Sequence, residues 1–183
     1  MFSVEQCEGI KPRFTRKPEH CAEPDAVADN IISKYVEGSG VTLEYVEGNS
    51  AYYRPSTDTV VVPKISQYRV EDKAENYSTI FHELVHSTSA PSRRARASGI
   101  SYKDGQINLE ECTAEIGSAY LVNHAGLETQ SSISNSAAYV KSWASALKQD
   151  PRMLVKASGQ AQKACRYILQ FSEDITDEPN DEE

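Results

Sequence analysis

Two periodicities alternate along the chain. Between Pro24 and Gly40 apolar residues fall three to four positions apart, at Val27, Ile31, Ile32 and Tyr35. That spacing predicts a helix, opened by proline in its first turn and stopped by "EGSG". The period then drops to two. "VTLEYVEG", "SAYYR" and "DTVVVP", separated by "GN" and "PSTD" turns, predict three short strands of a small antiparallel sheet. From about Val70 the pattern reads helical, apart from an irregular stretch at roughly 89–107. Later helices are predicted over about 108–123, 135–149 (Val140, Trp143, Ala144, Leu147) and 151–171 (Leu154, Ala157, Ala161, Ala164, Cys165, Ile168). A helix, a small sheet and then helices imply an α+β fold.

The 183 residues suit one domain. We expect an irregular leading segment over 1–23, the domain over 24–171, and a disordered acidic tail over 172–183. Formal net charge is −8, but the tail alone holds seven acids and no base, which leaves 20 acids against 19 bases elsewhere. A neutral body gives no charge-based support for DNA binding. The short basic clusters "KPRFTRK" and "PSRRAR" read as solvated surface. No apolar run nears the ~20 residues that span a bilayer, and the start lacks the regions of a signal peptide. Cys7, Cys21, Cys112 and Cys165 are scattered without a CxxC pair. A cytoplasmic location is the natural expectation.

Within "AENYSTIFHELVHSTS", residues Tyr77, Ile80, Phe81 and Leu84 gather on one side of the predicted helix. His82 and His86 fall on roughly the opposite side. Residues four apart project side by side, so both imidazoles can meet one metal ion. Glu83, next to His82, would be the base that takes a proton from the attacking water.

A catalytic zinc site needs a third protein ligand. The long form HExxHxxGxxH is closed, because Ser89 and Ser92 stand where glycine and histidine would be needed. "LEECTAEIGSAYL" offers Glu110, Glu111 and Glu115. With a buried stripe of Leu109, Cys112, Ile116, Ala119 and Tyr120, Glu111 and Glu115 share one flank and Glu110 lies around the far side. We therefore assign Glu111 to the metal and Glu115 to the outer N–H of a ligand histidine. His124 is the rival third ligand, ahead of His20.

"AYYRPSTDTVVVP", "HELVHSTSAPSR", "EECTAEIGSAYL", and "AAYVKSWASALKQDPR" with "KASGQAQKACRYIL" together resemble the C-terminal metallopeptidase domain of ArdC-type antirestriction proteins and of phage and plasmid polyvalent proteins. The likeness runs in order over roughly residues 50–170. It implies a zincin-like fold with zinc (Zn2+) on two histidines and a glutamate. These carry over onto His82, His86 and Glu111, the choice of Glu111 over Glu115 resting on the spacing above, with Glu83 as catalytic glutamate. The implied function is hydrolysis of peptide bonds in an intracellular protein, in an antirestriction setting. The alternative is a zinc-stabilised binding module that inhibits a host defence protein without cutting it. Family members also carry a domain for single-stranded DNA, for which this chain has no room, so DNA binding is not carried over. "HSTS" stands where the family commonly has an aromatic after the second histidine. "DTVVVP" is a candidate edge for an extended peptide substrate.

Overall fold

The computed structural model describes residues 22–93, 106–127 and 152–172. The expected helix at 135–149, most of the leading segment and nearly all of the acidic tail lie outside them.

Helix α1 runs from Ala26 to Ser39. Asp25 caps it, its Oδ1 accepting the N–H groups of Val27 and Ala28 at 3.2 Å each. Gly40, at φ 74°, closes the other end by donating its N–H to the Val36 carbonyl. Ala28, Ile31, Ile32 and Tyr35 are the buried stripe, and Val27 is 52% exposed. Ile31, Ile32 and Tyr35 are thus buried as expected, and only Val27 gives way to Ala28, because an apolar residue in a first turn can lie off the packed face.

Strands β1 (Thr42–Val46), β2 (Tyr52–Arg54) and β3 (Thr59–Pro63) form one sheet in the order β1-β3-β2. β2 and β3 are the antiparallel hairpin expected from "PSTD". β1 departs from expectation: it pairs with β3 in parallel, Thr42 opposite Thr59 through Val46 opposite Pro63. The turn at "EGNS" does reverse the chain, but it leaves a one-strand gap that β3 fills. β3 therefore has a neighbour on each side and offers no edge to a peptide, contrary to the role considered for it. Its continuous apolar run is the mark of a strand buried throughout.

Two short 3-10 turns, Ile65–Gln67 and Val70–Asp72, lead into α2 (Lys73–Ser87). Helices α3 (Gln106–His124) and α4 (Arg152–Leu169) follow among the described residues. One core joins them: Ile31, Ile32 and Tyr35 of α1, Val60 and Val62 of β3, Ile80, Phe81, Leu84 and Val85 of α2, Leu121 of α3 and Ile168 of α4. On α4, Met153 is buried and Leu154 is 41% exposed; the rest of the expected stripe is buried.

The contact between α2 and α3 sets the site. Ala114, Gly117, Ser118 and Leu121 form the face of α3 that is buried most completely. A Cβ at Gly117 would stand 2.8 Å from Val85 Cγ2, so the absence of a side chain there permits the close approach. Ser118 Oγ stitches the two helices by donating to the Ser78 carbonyl at 2.7 Å.

Candidate metal centre

α2 presents His82 and His86 one turn apart, and their Nε2 atoms converge to 3.0 Å. Two ring nitrogens that close cannot both carry a proton facing each other; a cation or a single shared proton belongs between them. Across the gap, α3 brings Glu111: Oε2 is 3.4 Å from His82 Nε2 and Oε1 is 3.7 Å from His86 Nε2. A tetrahedral ion with bonds of about 2.0–2.1 Å spaces its ligand atoms roughly 3.3 Å apart. The three separations scatter around that value, and the donor set of two imidazoles and one carboxylate suits zinc or a neighbouring divalent metal.

The outward ring nitrogens are held as well. His82 Nδ1 lies 3.3 Å from Glu115 Oε1, and His86 Nδ1 lies 2.8 Å from Glu110 Oε1. A carboxylate on Nδ1 keeps the proton there and leaves Nε2 as the lone-pair donor. Burial works against a charged His82, yet Glu111 and Glu115 outweigh it and the ring is pushed up to about 10 without metal. Glu111 is lowered, chiefly by its hydrogen bond to His82.

Glu83 points to a different side of α2 and is 8% exposed. Burial raises its carboxyl above the usual range, while the charges of His82 and His86 and the backbone N–H of Tyr53 pull it back. A carboxyl raised in this way is a better proton acceptor than a solvated one.

The structure brings Glu111, and not Glu115, to the two Nε2 atoms, and Glu115 to the back of His82. Glu110 was set aside in the sequence reading, but it is 4% exposed and behind His86. The signal that reveals it is the row 110, 114, 117, 118, 121, a helical stripe that runs through the small residues facing α2. His124 stands 13 residues beyond Glu111 on the same helix, about 20 Å along its axis, and does not join the cluster. His20 lies outside the described residues. Ser87, Thr88 and Ser89 turn their hydroxyls back onto the carbonyls of Leu84, Val85 and His86 at 2.7, 2.6 and 2.7 Å.

Paired imidazoles on one helix, a carboxylate from the next described helix and a buried glutamate beside them form the arrangement of an HExxH-type metal centre. The chain belongs to the zincin-like metallopeptidase family, whose sequence profile matches residues 30–160. Among curated proteins it is similar to the DNA primase TraC of Escherichia coli, 33% identical over 173 residues that cover 94% of this chain and 15% of that protein. It is also similar to the protein y4eC of Sinorhizobium fredii (strain NBRC 101917 / NGR234), 29% identical over 168 residues, 92% of this chain and 52% of that one. The chain thus spans about half, or much less, of these relatives.

Among solved structures it is similar to the antirestriction protein ArdC from the R388 plasmid in two states. The Mn(II)-bound form gives 30% identity and a TM-score of 0.66, covering 95% of this chain and 62% of ArdC. The metal-free form gives 31% identity and a TM-score of 0.64, covering 93% and 59%. The α+β, zincin-like fold expected from the sequence is the fold observed.

Proposed function

We propose that this chain is a zinc-dependent peptidase domain that hydrolyses peptide bonds of a protein substrate in an antirestriction setting. The observation that carries this reading is the meeting of the two Nε2 atoms with the Glu111 carboxylate, beside a buried Glu83. His82, His86 and Glu111 would hold the ion; ArdC, whose solved structure binds Mn(II), supports a divalent metal here. The chemistry the ion supplies is Lewis acidity, which makes water a nucleophile near neutral pH and polarises a peptide carbonyl.

The protein's own groups supply the remainder. Glu110 and Glu115 hold the two rings in orientation. A Glu83 carboxylate oxygen takes the proton of the attacking water and returns it to the departing amine nitrogen. β2, which lies against α2 and has no strand on its second side among the described residues, offers an edge for an extended peptide.

One observation favours a second reading, a metal-held module that blocks a defence protein by contact: the solved relative is named for antirestriction rather than for proteolysis. Metal analysis together with cleavage of a mixed-sequence quenched peptide library separates the two. Glu83→Gln should keep its metal and lose roughly 10²–10⁴-fold in kcat/KM. A metal-loaded wild type that cuts no peptide sinks the peptidase reading, and antirestriction activity undiminished in Glu83→Gln supports the binding module.

A further inference from the structure

Glu83 carries the proton in the proposed reaction, and its distance from the sheet is set by more than α2 itself. Arg93, six residues past the end of that helix, is 7% exposed. Its guanidinium forks onto Asp58, Nη1 to Oδ1 at 2.8 Å and Nη2 to Oδ2 at 2.6 Å. Nη1 also donates to the carbonyl of Ser87, the last residue of α2, at 2.9 Å.

Asp58 lies in the β2–β3 turn at φ 49°, the one non-glycine residue with positive φ among those described. The Tyr53 hydroxyl, from the middle of β2, donates to Asp58 Oδ1 at 2.8 Å. β2, which carries Tyr53, packs directly against α2, which carries Glu83, and the Tyr53 N–H acts to lower the Glu83 carboxyl. One guanidinium therefore ties the helix end to the hairpin tip, and through Tyr53 to the strand that faces Glu83.

With the guanidinium buried and the carboxylate 36% exposed, the pair is a poor device for stability alone, since desolvation of Arg93 offsets much of its attraction. Left-handed backbone at a non-glycine residue is likewise retained where surrounding contacts enforce it. Arg93 follows α2 and Asp58 follows β2, so both features bear on how the helix that carries Glu83 is held to the strand beside it.

We propose that Arg93 and Asp58 form a latch that fixes β2 against α2, which makes Arg93 a positioning residue for Glu83. This rests on the peptidase reading above.

Arg93→Lys keeps the charge but cannot fork, and Asp58→Asn keeps the shape without the charge. Both should bind metal as the wild type does and lose about 10- to 100-fold in kcat, with KM changed by less than about threefold. The double variant should be no worse than the worse single, because the pair acts as one unit. A reading free of activity is amide exchange: the Tyr53 N–H should exchange about tenfold faster in either variant, while the core amide of Leu121 does not change.

Folded Arg93→Lys with unaltered kcat and unaltered Tyr53 exchange overturns the latch. So does exchange that quickens equally at Tyr53 and Leu121, which would mean plain loss of stability. Should Arg93→Lys fail to fold, Tyr53→Phe, which removes only the hydroxyl bond to Asp58, decides by the same two readings. A wild type that cleaves nothing refutes the peptidase reading and leaves the exchange comparison to judge the latch.

Discussion

Each imidazole of the centre is gripped from behind by a carboxylate, and the two grips differ. Glu115 is 3.3 Å from His82, whereas Glu110 is 2.8 Å from His86 and almost fully enclosed. Glu110→Gln should therefore lower metal affinity by roughly 10- to 100-fold, read by competition with a metallochromic chelator. The raised His82 gives a second expectation. Because its imidazole titrates at about 10 without metal, loading must expel a proton throughout the neutral range. Apparent affinity should fall about tenfold per pH unit as the solution is acidified, and calorimetry in buffers of different ionisation heat counts the proton. For the metal-free fold the sign is the reverse. A raised histidine stabilises fully below its unfolded value near ~6.5 and ceases to do so as pH climbs through about 10.

Between helices, the decisive position is Gly117. Alanine there would gain up to about 1 kcal/mol of helix propensity. It would also thrust a methyl against Val85, which is fully buried and stiff about χ1. Overpacking of this kind costs about 1–3 kcal/mol, so Gly117→Ala should lower the melting temperature. By prising α3 from α2 it should weaken metal binding as well, while a change at exposed Tyr120 on the same helix should do neither. The same helix shows where sequence reading stopped. His82, Glu83, His86 and Glu111 stood out because spacing of one turn on a helix is a local property. Glu110 did not, because a stripe drawn through Leu109, Cys112, Ile116, Ala119 and Tyr120 treats the largest apolar residues as the packed face. α3 instead turns its smallest residues to α2, and a helix pressed that closely buries what is small. The pairing of β1 was equally out of reach, since a turn sequence encodes chain reversal but not which strand will occupy the space beside it.

Across the molecule, the proposed metal ligands and the core are separate sets of residues. The core runs from α1 through the sheet to α4 without using His82, His86 or Glu111. Stripping the ion with a chelator should thus leave the far-ultraviolet circular dichroism unchanged. It should remove only the stabilisation given by ligand binding, about 2.7 kcal/mol when free metal stands at a hundred times its dissociation constant. That the metal-free and Mn(II)-bound forms of ArdC match this chain almost equally well agrees with that expectation. The sheet has a different consequence, one that concerns how the chain is made. Its middle strand is the last of the three to be synthesised. A ribosome that has released residues only as far as Arg54 holds two ribbons with no hydrogen bonds to one another, each with bare sides open to foreign strands. A stall or a proteolytic cut in the few residues before Thr59 would therefore be far more damaging to yield than one placed after Pro63.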